Sequence, residues 1–231
     1  MAEAAESSRS GHRETAARYI LPFAVLIALL AWQSVAPLPV RLDYPLRVFV
    51  LAAVLVLYSR PVIRLKPAHL TASLILGAVV FVVWIGPDLL FPHYRQYWLF
   101  QNSLTGTIQS SLPSNRRGDL WVLTFRVLRT AVIVPIVEEL FWRGWLMRWL
   151  IHTDFRNVPF GTYAHLSFWV TALLFASEHG PYWDVGVVAG ILYNWWAVRT
   201  KSLADCILAH AITNGALCAW VILMGRWEYW L

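Results

Sequence analysis

Six residues in the second half of the chain combine reactive side chains with helical spacing: Glu138, Glu139, Arg143, His179, His210 and Asn214. Glu139 and Arg143 are four residues apart, so on a helix they share a face and can pair. Glu138 is turned about 100° away and must find another partner. Neighbouring acids held in different electrostatic settings suit acid–base work. His210 and Asn214 are also four apart, and both can donate hydrogen bonds from one face. A carboxylate within reach of a water can act as a general base. Donors fixed in a low-dielectric cavity can hold an oxyanion.

These residues stand in apolar sequence. Glu138 and Glu139 lie inside the run from Ala131 to Gly144, and after Glu14 the chain has only two other glutamates, Glu178 and Glu228. A carboxylate at the centre of a membrane helix costs about 2.5–3.5 kcal/mol. Intramembrane ionisable groups are therefore candidates for function. Composition supports the membrane setting: 58% of the 231 residues are hydrophobic, 14% are charged, and mean hydropathy is +0.54. A soluble domain carries roughly 25% charged residues. The net charge is +6, but the cations are scattered between apolar blocks. That pattern argues for topology determinants and headgroup contacts, with no nucleic acid as partner.

Seven apolar blocks position the six residues: 19–36, 44–58, 70–91, 120–151, 163–177, 185–198 and 203–224. Backbone groups in lipid must be satisfied internally, so helices are the default. The expected fold is all-α, a polytopic transmembrane helix bundle of about seven to eight spans. Residues 1–18 are polar and carry both signs of charge, with no small-x-small cleavage site following; they are expected to be a flexible tail. Residues 19–91 would form N-terminal membrane helices. Residues 92–119 would be a polar connection able to hold an interfacial helix at Tyr97–Phe100. Residues 120–231 would be the catalytic membrane core. Ser202-Leu203-Ala204-Asp205 fits a capping box that starts the last helix. Cys206 and Cys218 are about 18 Å apart on one helix, too far for a disulfide. Trp98, Trp121, Trp183, Tyr229 and Trp230 read as interfacial anchors.

Structural readings stand beside the chemical ones. A Glu–Arg pair can simply join helices, His210 with Asn214 can be interhelical hydrogen-bond glue, and His179 can be interfacial. Glu178, near a loop, reads as solvated. His69, His93, His152 and His165 lie near block ends and read as interfacial. A non-catalytic membrane scaffold or immunity-type protein would keep the same cluster for packing. A proton-coupled transporter would want an inverted repeat, which the sequence lacks.

The ordered set is more specific than its parts. Glu138-Glu139-Leu-Phe-Trp-Arg143 matches E-E-x-x-x-R, Phe175-Ala-Ser-Glu-His179 matches F-x-x-x-H, and His210-Ala-Ile-Thr-Asn214 matches H-x-x-x-N. In this order the chain resembles the CAAX prenyl protease and bacteriocin-processing family of intramembrane endopeptidases. Its size and tryptophan content resemble the exosortase-associated branch. The resemblance covers roughly residues 120–224. It implies hydrolysis of a peptide bond in a membrane-associated protein or peptide, in a multi-pass protein of the bacterial inner membrane. Glu138 and His179 would activate a water, Glu139 and Arg143 would orient the site, and His210 and Asn214 would stabilise the oxyanion. It implies no cofactor and a glutamate-dependent mechanism; two His and two Glu also leave zinc as an alternative.

With Arg126 and Arg129 at the interface, helix rise places the glutamates about 12 Å from the face opposite Ser202. The site is therefore expected off-centre, toward the Arg126 end. With seven spans, ten cations fall on the N-terminal side and eight on the other, favouring a cytoplasmic N-terminus.

Overall fold

The structure, a computed structural model, describes residues 2–91 and 93–231, with side chains from Glu14 onward. The flexible tail expected at residues 1–18 falls mostly on residues whose side chains lie outside the described part. Among the described residues seven helices succeed one another: α1 Ala2–Val35, α2 Val40–Val54, α3 Leu70–Leu90, α4 Leu120–Trp149, α5 His165–Ser177, α6 Trp183–Thr200 and α7 Leu203–Met224. They coincide with the seven apolar blocks. Among the described residues there is no strand, only a bridge between Asn102 and Gly106.

Among the described residues four segments are long and apolar enough to cross a membrane alone: Glu14–Val35, α3, α4 and α7. Helices α2, α5 and α6 complete the bundle against them. Successive helices run in opposite directions, as cross-helix bonds show. Ser59 beyond the end of α2 donates to Arg18 O near the start of the α1 span, while Trp121 at the start of α4 donates to Arg41 O at the start of α2. His69 just before α3 bonds Asp205 in the first turn of α7. Late in α6, Trp196 donates to Ser73 early in α3.

Helices α3 and α7 meet closely because Gly77 lacks a side chain; a Cβ there would sit 2.5 Å from Ala209 O. Small residues at such crossings let membrane helices approach. Ser202 caps α7 through Asp205 N, as the capping box requires. The Asp205 carboxylate, however, turns away to His69.

Helix α4 is irregular where it matters. Its register changes to π turns at Arg129–Ile133 and Leu140–Leu146, on either side of the α-helical turn Val134–Glu139. Pro135 accounts for the first change: it has no N–H to offer and its ring crowds the carbonyl four residues back. Within this π turn Val134 N bonds Arg129 O. In the same register Thr130 O would await the N–H of residue 135, which proline lacks.

Several expectations are corrected. Arg126 and Arg129 are buried, not interfacial. Arg126 donates to Tyr44 Oη (3.3 Å) and Leu231 O (3.1 Å). Both guanidinium carbons lie about 5.5 Å from the Tyr44 ring. Cation–π contact and these acceptors replace water there. Because α4 extends beyond Arg126 to Leu120, Glu138 is roughly 27 Å from the helix start and roughly 17 Å from its end. The site is off-centre, but toward the end that carries Ser202. Tyr229 and Trp230 are buried over the opposite end of the bundle, Tyr229 donating to Asp88.

The connection after α3 contains no α-helix among its described residues; Tyr94–Gln96 and Ser114–Arg116 are 3-10 turns. Between them a turn is closed by its own side chains. Asn102 accepts from the N–H groups of Leu104 and Thr105 and donates to Trp98 O, and Thr105 donates to Phe100 O. Thr105 O faces Gly180 just beyond α5. Helix α5 is only 13 residues long, about 20 Å.

Candidate active site

The α-helical turn between the two π segments presents Glu138 and Glu139, both buried. The i,i+4 pair forms as its spacing predicts: Arg143 Nη1 donates to Glu139 Oε1 at 2.9 Å, with both side chains fully buried. Arg143 is further held by α6, through Nε to Asn194 Oδ1 (2.9 Å) and Nη2 to Gly190 O (3.3 Å). Asn194 in turn donates to Phe168 O on α5 at 2.8 Å. The guanidinium carbon also lies 4.7 Å from the Phe175 ring and 5.4 Å from Tyr193. A charge this deep needs such a complete set of partners.

From α7, His210 reaches both glutamates. Its Nδ1 bonds Glu139 Oε1 at 2.9 Å, and its Nε2 lies 3.9 Å from Glu138 Oε2. Since a carboxylate accepts, Nδ1 carries the proton in this pair. Tyr193 stacks on the imidazole at 5.0 Å, and its hydroxyl donates to Thr213. Two carboxylate oxygens, Glu138 Oε2 and Glu139 Oε2, are buried without a hydrogen-bond partner in the protein. Buried acceptors of this kind call for a donor.

His179 sits just past the end of α5. Its Nδ1 donates to Phe175 O at 2.8 Å, which leaves Nε2 as the free ring nitrogen. Trp84 and Phe175 flank the ring at 5.1 and 4.7 Å. The Phe175 ring also lies 5.9 Å from His210, so it stands between the two histidines. Asn214 shares a face with His210, yet its amide serves α4: Nδ2 donates to Thr130 O at 2.9 Å. That is the carbonyl which the π turn and Pro135 leave without a backbone donor.

The structure thus joins Glu139, Arg143 and His210 by hydrogen bonds and brings Glu138 within 3.9 Å of His210. It places His179 one aromatic ring away from His210, and ties Asn214 to the helix that carries the glutamates. Glu178 is exposed, as expected beside a loop, and accepts from Trp142 Nε1 at 3.0 Å. Sequence reasoning missed Asn194, Tyr193 and Thr213. Asn194 had a usable signal: it is the one side-chain amide in the apolar block 185–198. Among the described residues no group of three or more His, Cys, Asp or Glu side chains is arranged to hold a metal ion.

Fold and site together define an integral membrane protein of the helical-bundle class, with a buried carboxylate–histidine–arginine centre. Residues 119–216, which contain all three motifs, match the model of a protease family described as type II CAAX prenyl endopeptidase Rce1-like. The resemblance read from the motifs holds over this segment, and the family matched there is one of proteases. No curated protein and no solved structure matches the chain.

Proposed function

We propose that this protein is an intramembrane endopeptidase that hydrolyses a peptide bond of a membrane-associated protein or peptide with a glutamate-activated water. The observation that carries the reading is the pair of buried, unpartnered oxygens, Glu138 Oε2 and Glu139 Oε2, placed beside His210. Glu138 would take a proton from water as the oxygen adds to the scissile carbonyl. It would return that proton to the amide nitrogen as the C–N bond breaks. His179, with Nε2 free, would orient the water. Glu139 and Arg143 would hold His210, and the second N–H of Asn214, together with His210 Nε2 when the ring carries a proton on both nitrogens, would face the developing oxyanion. No step requires a cofactor. We place the protein in a bacterial inner membrane, with the Ser202 end cytoplasmic on the charge count.

The Asn194–Arg143–Glu139–His210 chain crosses α6, α4 and α7, and it favours a second reading, a non-catalytic scaffold. One experiment separates the two. Membrane fractions of cells carrying wild type, Glu138→Gln or His179→Ala are compared by terminal-peptide mass spectrometry, and each protein is melted in detergent. The peptidase reading expects a cleavage product that both variants abolish with little change in melting temperature. Full cleavage by Glu138→Gln would refute the mechanism. Lost stability with no product in any sample would support the scaffold.

A further inference from the structure

At the Ser202 end of the bundle, a cavity of about 330 Å³ opens between the α2–α3 linker, the last turns of α4 and the α6–α7 turn. Its wall carries Arg64, Lys66, Arg148 and Lys201 and no carboxylate. Among the described residues no ion pair joins any of these four cations to an acid. Asp205, the acid closest in sequence, is fully buried and holds His69 through both its oxygens.

The cations are not equivalent. Arg148 is fixed, with Nε to Val158 O at 2.8 Å and Nη1 to Gly144 O at 3.0 Å. Lys201 Nζ lies 3.4 Å from Gly161 O. Arg64 and Lys66 are exposed at its rim. Leu203 and Ala204 also line the cavity, and as the first residues of the 22-residue α7 their N–H groups have no intrahelical acceptor. The helix dipole adds to the positive potential there.

We infer that this cavity binds a phosphate ester anion, supplied either by the headgroup of an anionic phospholipid or by a soluble phosphate compound. Concentrated cation, backbone donors and a cavity of several hundred cubic ångströms match a phosphate ester, whose phosphate accepts from several directions at once. The cavity lies at the ends of the apolar segments Glu14–Val35, Leu120–Trp149 and Leu203–Met224. Basic pockets between membrane helices at that level suit anionic headgroups. An occupant would also tie the end of α4 to the start of α7. These are the two helices that carry Glu139 and His210.

The test uses the full chain in neutral detergent, titrated separately with phosphatidylglycerol, phosphatidylcholine and glycerol 3-phosphate. Melting temperature is read throughout, and native mass spectrometry counts retained lipid. Wild type should show a saturable rise with phosphatidylglycerol and not with phosphatidylcholine. In K66Q/K201Q the midpoint should move roughly 30-fold higher, about five-fold for each lysine. A rise with glycerol 3-phosphate that the same variant weakens assigns the site to a soluble phosphate compound; a rise with phosphatidylglycerol alone assigns it to the lipid. Equal midpoints in wild type and variant, equal response to phosphatidylcholine, or no response to any ligand overturns the inference. Both lysines are exposed, so the unliganded variant should melt as wild type does; if it does not, Arg64→Gln carries the same comparison.

Discussion

The bond from Asn214 to Thr130 O makes a quantitative prediction, because it repairs a defect that Pro135 creates. Asn214→Leu removes the donor and leaves a partly buried carbonyl unpaired, a loss of about 1–2 kcal/mol. In a chain of this length that corresponds to a fall in melting temperature of roughly 3–6 °C. Pro135→Ala restores an N–H to the ladder, so Thr130 O no longer depends on α7. The double variant should therefore recover most of the stability that Asn214→Leu loses, a coupling of about 1 kcal/mol or more between the two sites. Thermal melting of the four proteins in one detergent measures it. Cleavage by the same four proteins separates the roles of the amide. If Asn214 also faces the oxyanion, the double variant regains stability while its cleavage remains slow. Strictly additive stabilities would show that Pro135 does not create the need for Asn214, and the account of the π turn would fail.

Two further outcomes are expected. Asn194→Leu strands both Arg143 Nε and Phe168 O, and should cost about 3 kcal/mol in a melting experiment; Asn194→Asp keeps an acceptor for Arg143 and should recover part of that stability, but it competes with Glu139 for the guanidinium, so cleavage should stay low. Gly77→Val forces α3 away from Ala209 and Ile212, and should lower the melting temperature by the equivalent of about 1–3 kcal/mol, whereas Gly86→Ala, with open space around it, should leave melting nearly unchanged.

The helices were legible because each apolar block is bounded by proline, glycine or charge, and because lipid leaves the backbone few alternatives. The Glu139–Arg143 pair was legible because both partners lie on one helix at a spacing that fixes their contact. Contacts across helices were less so. His210 and Asn214 share a face as their spacing demands, yet one turns to the glutamates and the other to a backbone defect that depends on Pro135 one helix away. His179 and Glu138 come from different helices, and spacing says nothing about which histidine meets which acid; His210 turned out to be in contact. Arg126 and Arg129 were misplaced because a cation near the start of an apolar block resembles an interfacial one. Only the position of Tyr44 on a neighbouring helix shows otherwise. Asn194 is a single polar residue in its block, with no partner at helical spacing to mark it.

The shortness of α5 has a mechanical consequence for the host membrane. A helix of about 20 Å falls short of the roughly 30 Å hydrocarbon layer, and the mismatch is met by local thinning of the bilayer or by cover from the protein. The turn around Asn102 supplies the cover: its polar groups are satisfied internally, and Trp98 and Leu104 project outward, 77% and 93% exposed. Bilayer thickness thus becomes a physical variable of this protein. Thicker membranes would press on that turn and on Gly180 beneath it, and so on His179, the residue just before it in the chain. Thinner ones would relieve the load.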